Sequence, residues 1–361
     1  MRLIPRILSR LRAMVVAVLV PALLVTPQLR SAETGDREHV ELISKKDSVD
    51  LAIEKGLAWI ATQQDASTGV FQGPLPNTFT ALACIAFMAA GHQPGRSLYG
   101  ENLRRGIQFL LRAAQKGDWY FGREGNGRMY THGIATLALL EAYGIMEDEK
   151  ENQRIKEVLE NVLKVTLASQ SKTKGQHHGG WRYEPTSGDG DLSVSVWQIL
   201  VLRSAQNSNF PVPEQAVKDA MEYIRRQYNP QAQAFTYQGA AANNTPAMAP
   251  AGVVAMNVLG LNQEKADVDK IRNSARMLLT FDPSGGSYYY YMCYYLATAA
   301  NMMGDEYRAV FLPKMENALL RIQQPDGAFP QQGDAHAGVY STAFAVIILC
   351  VRYQYLPIYQ E

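Results

Sequence analysis

Apolar positions recur along the chain at helical spacing, in blocks of two kinds that alternate. One kind is amphipathic. Leu51, Leu57, Ile60 and Ala61 mark the first such block and Leu103, Ile107, Phe109 and Leu110 the second, with Lys, Arg and Glu on the opposite face. The other kind is apolar all round and rich in Ala, as in Ala81 to Ala90 and Ile134 to Leu140, the pattern of a helix covered on every side. A short turn with Gly and an aromatic residue joins the two kinds. The aromatic landmarks are Phe71, Trp119, Trp181, Phe235, Tyr288 and Phe329, at intervals of 48, 62, 54, 53 and 41 residues. Each interval holds two helices of about 15 residues, at roughly 1.5 Å rise per residue, with their connections. The pattern predicts six helical hairpins, the first capped by Asp47 or Ser48.

The six all-apolar helices each need two like neighbours and an amphipathic partner, which a ring satisfies. An open solenoid would leave two apolar ends bare, and neither terminal unit carries a polar outer face. The expected fold is all-α, an α/α toroid with inner and outer helix rings, as a single domain over residues 47 to 361.

The ends alter this picture little. Arg2, Arg6, Arg10 and Arg12 precede the uncharged stretch Ala13 to Val25, followed by Pro27, Ser31 and Ala32. Thirteen residues fall short of the roughly 20 a spanning helix needs, so residues 1 to 32 read as a signal peptide and the protein as exported, periplasmic or extracellular. Residues 33 to 46 form a charged lead-in. Without residues 1 to 32, 30 basic side chains face 34 acidic ones, a formal charge of −4, and no basic cluster remains for a nucleic-acid backbone. Stable membrane insertion after signal removal is not expected. Cys84, Cys293 and Cys350 lie in apolar runs and read as buried thiols rather than disulfide partners.

Within the hairpins, Lys55-Gly56, Trp59-Ile60, Gln64, Gly69 and Phe71 recur as Arg105-Gly106, Phe109-Leu110, Gln115, Gly117 and Trp119. These resemble the glutamine-tryptophan repeat of squalene and terpene cyclases, whose superfamily includes protein prenyltransferases and complement-like thioester domains. The stretches Gly179 to Tyr183, Asp189 to Leu202, Tyr288 to Gly304 and Gln323 to Gln360 resemble exported bacterial prenyltransferase/squalene oxidase repeat proteins. The resemblance covers residues 50 to 360 and implies the toroid.

The catalytic motifs of that superfamily are incomplete. Squalene-hopene-type cyclases protonate an alkene with the middle Asp of an Asp-x-Asp-Asp-Thr segment. Here Asp189-Gly190-Asp191-Leu192-Ser193 is the match, with Leu192 in place of the third Asp. The resemblance puts Asp191 in the acid's position and Asp189 beside it. Prenyltransferase zinc is held by an Asp, a Cys and a His, and Cys293 has no Asp two residues before it and no matching His nearby after it. The thioester segment Gly-Cys-Gly-Glu-Gln is absent. No metal site and no cofactor is expected.

In a toroid the inner helices start at one mouth, where free N–H groups and helix dipoles favour a ligand. Tyr130, His132, Ser193, His336 and Tyr340 stand near those starts, and Tyr288, Tyr291, Tyr294 and Tyr295 crowd the fifth. Tyrosine rings stack on sugars or hydrophobic chains while their hydroxyls orient them. His132 and His336 are placed to face each other across the mouth with Asp191 or Asp334. The expectation is an exported toroid that binds an elongated apolar, glycan or peptide ligand at its mouth, with catalysis unsupported by motifs. The alternative is an isoprenoid cyclase-like enzyme, which requires a deep aromatic cavity below Asp191, or a polysaccharide-processing enzyme, which requires an open groove.

Overall fold

Asp47 opens the first helix, its side chain accepting from the N–H groups of Val49 and Asp50 while Asp50 reaches back to Asp47. This reciprocal cap is worth about 1 kcal/mol. The computed structural model describes residues 46–239, 246–333 and 336–359. The leader expected over residues 1 to 32 and most of the charged lead-in lie outside them.

The amphipathic blocks form α1 (Ser48–Thr62), α3 (Gly100–Lys116), α5 (Glu149–Ala168), α7 (Glu214–Arg226), the broken pair α9 (Lys265–Ala275) and α10 (Met277–Thr280), and α12 (Asp305–Ile322). The all-apolar blocks form α2 (Pro76–Ala89), α4 (Arg128–Ala142), α6 (Leu192–Asn207), α8 (Met248–Val258), α11 (Tyr289–Met302) and α13 (Val339–Cys350). A two-residue antiparallel ladder pairs Tyr228–Asn229 with Ala234–Phe235 in the fourth turn.

Inner helices touch in the cyclic order α2, α4, α6, α8, α11, α13 and back to α2. The chain is therefore a closed ring of paired helices, all-α as its hydrophobic pattern implies. Every residue of α2 from Asn77 to Ala89 is buried, whereas α3 buries only one stripe that includes Leu103, Ile107 and Leu110. Burial at roughly 25 cal/mol per Å² of apolar surface drives this sorting.

One device, present at three turns, joins successive hairpins. The Gln64 amide donates to the Gly69 carbonyl at 3.0 Å and to the Asn102 carbonyl of the next outer helix at 2.8 Å. Gln170 repeats this with Gly179 and Ala216, and Gln323 with Gly327 and Ala52, which closes the ring. The turn glycines have φ of +80°, +84° and +96°, and a Cβ on each would lie 2.0–2.4 Å from a carbonyl oxygen of the neighbouring outer helix. Only glycine allows this approach. Behind it, the backbone N–H groups of Phe71, Trp181 and Phe329 donate to the hydroxyls of Thr80, Ser195 and Thr342 on the inner helices.

Two landmarks are corrected. Trp119 is only partly buried, with φ +65°, and Phe121 is the fully buried aromatic of the second turn. Tyr288 is 61% exposed, in left-handed backbone ahead of α11. The turns concerned, residues 117–127 and 281–288, are the two shortest between an outer and an inner helix, so the aromatic at the repeat position does not reach the buried place that Phe71, Trp181 and Phe329 take.

The candidate site at the ring mouth

At the start of α6, Asp191 is the N-cap, fully buried in extended backbone. Its Oδ1 accepts from the Val194 N–H at 3.0 Å and the Ser193 hydroxyl at 2.5 Å, and its Oδ2 from the Arg182 guanidinium at 3.0 Å. Burial raises the Asp191 pKa, and the bonds from Ser193, Val194 and Arg182 oppose that rise. Asp189, half-buried, pairs with the same guanidinium at 3.3 Å. The two aspartates of the motif thus share one arginine.

Arg182 also organises aromatic rings. It donates to the Tyr237 hydroxyl at 2.9 Å and lies 4.4 Å from the Tyr183 centroid and 5.6 Å from that of Tyr237. Both orientations are favourable cation–π contacts. The Tyr183 and Tyr237 hydroxyls bond each other, and Tyr130 packs its ring 6.0 Å from Tyr183. Tyr130, Arg182, Tyr183 and Tyr237 are all partly exposed, which makes a rim of rings locked around a cation. Arg182, Tyr183 and Tyr237 are absent from the sequence-derived candidates. Arg182 and Tyr183 directly follow the buried landmark Trp181, while Tyr237 lies two residues beyond the buried Phe235, and no periodic pattern marks any of the three.

The other candidates separate into rim and interior. Ser193 is buried, with its hydroxyl bonded to Tyr130 and its carbonyl accepting from Tyr291 at 3.0 Å. Tyr291 therefore reaches from α11 to α6, past the intervening α8. His336 and Tyr340, partly exposed, pack with Phe79 in a second aromatic group at the rim.

Tyr294 and Tyr295 do not line the mouth. They are 1% and 0% exposed, Tyr294 stacks on Trp197 with centroids 5.4 Å apart and planes 2° from parallel, and Phe344 packs against it at 5.6 Å. Trp197 stands on α6 and Tyr294 on α11, which are not neighbours in the cyclic order, so the stack crosses the middle of the ring. His132 also departs from expectation. It is fully buried and turned outward to α5, with Nε2 against the Val162 carbonyl and the Thr166 hydroxyl, so it does not face His336. Burial lowers its pKa to about 4, which keeps the imidazole neutral. Asp334 lies outside the described residues. Among the described residues no group of three or more His, Cys, Asp or Glu could hold a metal ion, and no helix is long and apolar enough to cross a membrane.

Comparison with solved structures places this architecture. An α-1,6-mannanase, GH76A of Salegentibacter sp. HEL1_6, solved as an inactive variant with α-1,6-mannotriose, superposes with a TM-score of 0.63 at 13% identity, over 84% of this chain and 98% of the mannanase. The type II terpene cyclase MstE from Scytonema, in complex with geranylgeranyl dihydroxybenzoate, gives 0.53 at 13% identity, over 86% and 98%. The fold is the α/α toroid of these two enzymes. At such identity the likeness concerns the fold alone. No family model matches the chain, and no curated protein does. The Tyr294–Trp197 stack between α11 and α6 crosses the middle of this toroid, and Tyr130, Arg182, Tyr183 and Tyr237 are its partly exposed rim.

Proposed function

We propose that the protein binds an oligosaccharide across the mouth of the ring, on the rim formed by Tyr130, Arg182, Tyr183 and Tyr237. The single observation that carries this reading is the Tyr183–Arg182–Tyr237 layer. Its rings are partly exposed yet fixed by the hydroxyl pair and the guanidinium. Sugar C–H faces stack on such rings, and Asp189 with the ring hydroxyls can satisfy sugar hydroxyls. Fixed side chains lose little freedom on binding, which favours affinity. The oligosaccharide bound by the mannanase of similar fold is consistent with this ligand class.

Calorimetric titration with a panel of neutral oligosaccharides, α-1,6-mannotriose among them, tests the reading. Binding is expected for at least one of the panel, weakened roughly tenfold or more by Tyr183→Ala or Tyr237→Ala, since a stacked aromatic contributes on the order of 1 kcal/mol beyond its buried area. Absence of binding across the panel, or wild-type affinity in both variants, overturns it.

A second reading, glycan processing at the same mouth, is favoured by Asp189 and Asp191 sharing Arg182, with burial raising the Asp191 pKa. A carboxyl whose pKa burial raises is better able to hand a proton to a glycosidic oxygen. Under this reading Asp191→Asn, which can still cap α6, abolishes oligosaccharide cleavage without loss of helix stability.

A further inference from the structure

The glutamine device is missing between the fifth and sixth hairpins. The fifth outer helix breaks at Arg276, and its last turn, α10, ends in Thr280 and Phe281 where other units carry Gln. A cavity of about 520 Å³ opens at this seam, between the segment 280–284 and α12. That volume lies within the range of small-molecule sites.

The lining is rich in donors. Lys314, Asn317 and Arg321 stand three and four residues apart on α12 and share one face. Arg321 has no hydrogen-bond or ion-pair partner among the described residues, and Lys314 makes one bond, to the Leu279 carbonyl at 3.1 Å. Thr280, Ser284 and Gln332 add hydroxyl and amide groups, while Asp282 is the single carboxylate of the lining among the described residues. Phe281 and Tyr289 supply the apolar part of the wall, the Tyr289 hydroxyl being tied to the Pro283 carbonyl at 3.0 Å. At two other seams a cation is paired with a carboxylate, Arg104 with Glu151 and Arg225 with Asp267. Here Lys314 and Arg321 line the same cavity, and neither forms an ion pair among the described residues.

We propose that this seam cavity binds an anionic sugar, its carboxylate, sulfate or phosphate held between Lys314 and Arg321 and its ring against Phe281 and Tyr289. The planar guanidinium can meet an oxyanion through two parallel bonds and the ammonium through a third, and Asn317 and Gln332 are left for ring hydroxyls. The site is independent of the mouth, since none of its lining residues belongs to the Arg182 cluster.

The test is an NMR titration of the chain with glucuronate, glucose 6-sulfate, glucose 6-phosphate, glucose and inorganic sulfate. At least one of the three anionic sugars is expected to bind more tightly than glucose and than inorganic sulfate, with affinity falling as salt is added. The double variant Lys314→Gln/Arg321→Gln is expected to lose roughly tenfold or more of that affinity, with its circular dichroism melt unchanged, whereas Tyr183→Ala leaves it intact. Equal binding of glucose or of inorganic sulfate, wild-type affinity in the double variant, or no binding at about 10 mM of every anionic sugar overturns the proposal.

Discussion

Glu141 is 6% exposed between α4 and α6, where the Ser204 hydroxyl donates to it at 2.7 Å. Burial pushes its carboxyl up to about 7, against the Ser204 hydroxyl and the Ile358 backbone, which favour the charged form. An unfolded glutamate titrates near 4.3, so between about 4.3 and 7 the folded state holds more protons than the unfolded one. This group's contribution to stability therefore falls as pH rises through that window. Glu141→Gln is expected to stabilise the protein by up to about 3 kcal/mol at pH 8 and to leave it nearly unchanged at pH 4.5, read from urea midpoints. An equal change at both pH values would show that the carboxyl carries no such penalty. His132 acts in the opposite sense, because its folded pKa lies below the ordinary value: its contribution is complete above about 6.5 and is lost as pH falls towards 4. Acid below pH 6.5 thus weakens the fourth helix through His132 while it relieves Glu141.

At the scale of elements, the Gln–Gly device sets how tightly neighbouring hairpins dock. Gly327 combines φ +96° with a Cβ position 2.3 Å from the Lys55 carbonyl oxygen, so Gly327→Ala must displace α1 as well as strain its own backbone. A loss of about 3–5 kcal/mol is expected in urea unfolding, against about 1–2 for Gly175→Ala, which shares the backbone strain but whose Cβ would meet nothing within 4 Å. Similar losses in the two variants would remove docking as the cause. This layer was legible in the sequence, because amphipathic blocks, Gln and Gly recur as residue types. The direction of side chains on the inner helices was not. A helix apolar all round gives no periodic signal for which face meets the lumen and which the outer ring, so His132, Tyr294 and Tyr295 could be placed on a helix but not on a side of it. Arg182, Tyr183 and Tyr237 escaped for another reason: they lie in turns, where no helical period assigns a direction, and only the fold brings them together.

For the whole molecule, closure makes each hairpin depend on two neighbours. Removing residues 305 to 361 would bare the flanks of α2 and α11 at once, so the truncated chain is expected to lose cooperative unfolding altogether rather than about a sixth of its stability. A truncated protein that still melted in one sharp transition by circular dichroism would indicate an open stack instead of a ring. Closure also has a consequence in time. Gln323 bonds to Ala52, and Arg352 pairs with Asp47 at 2.8 Å, across 271 and 305 residues of sequence. Hairpins dock locally as the chain leaves the ribosome at about 5–20 residues per second, but the first waits for the last. For much of synthesis the flank of α1 and α2 stays open to other chains, and the completing contacts are among the most distant the sequence contains, which slows the final step of folding.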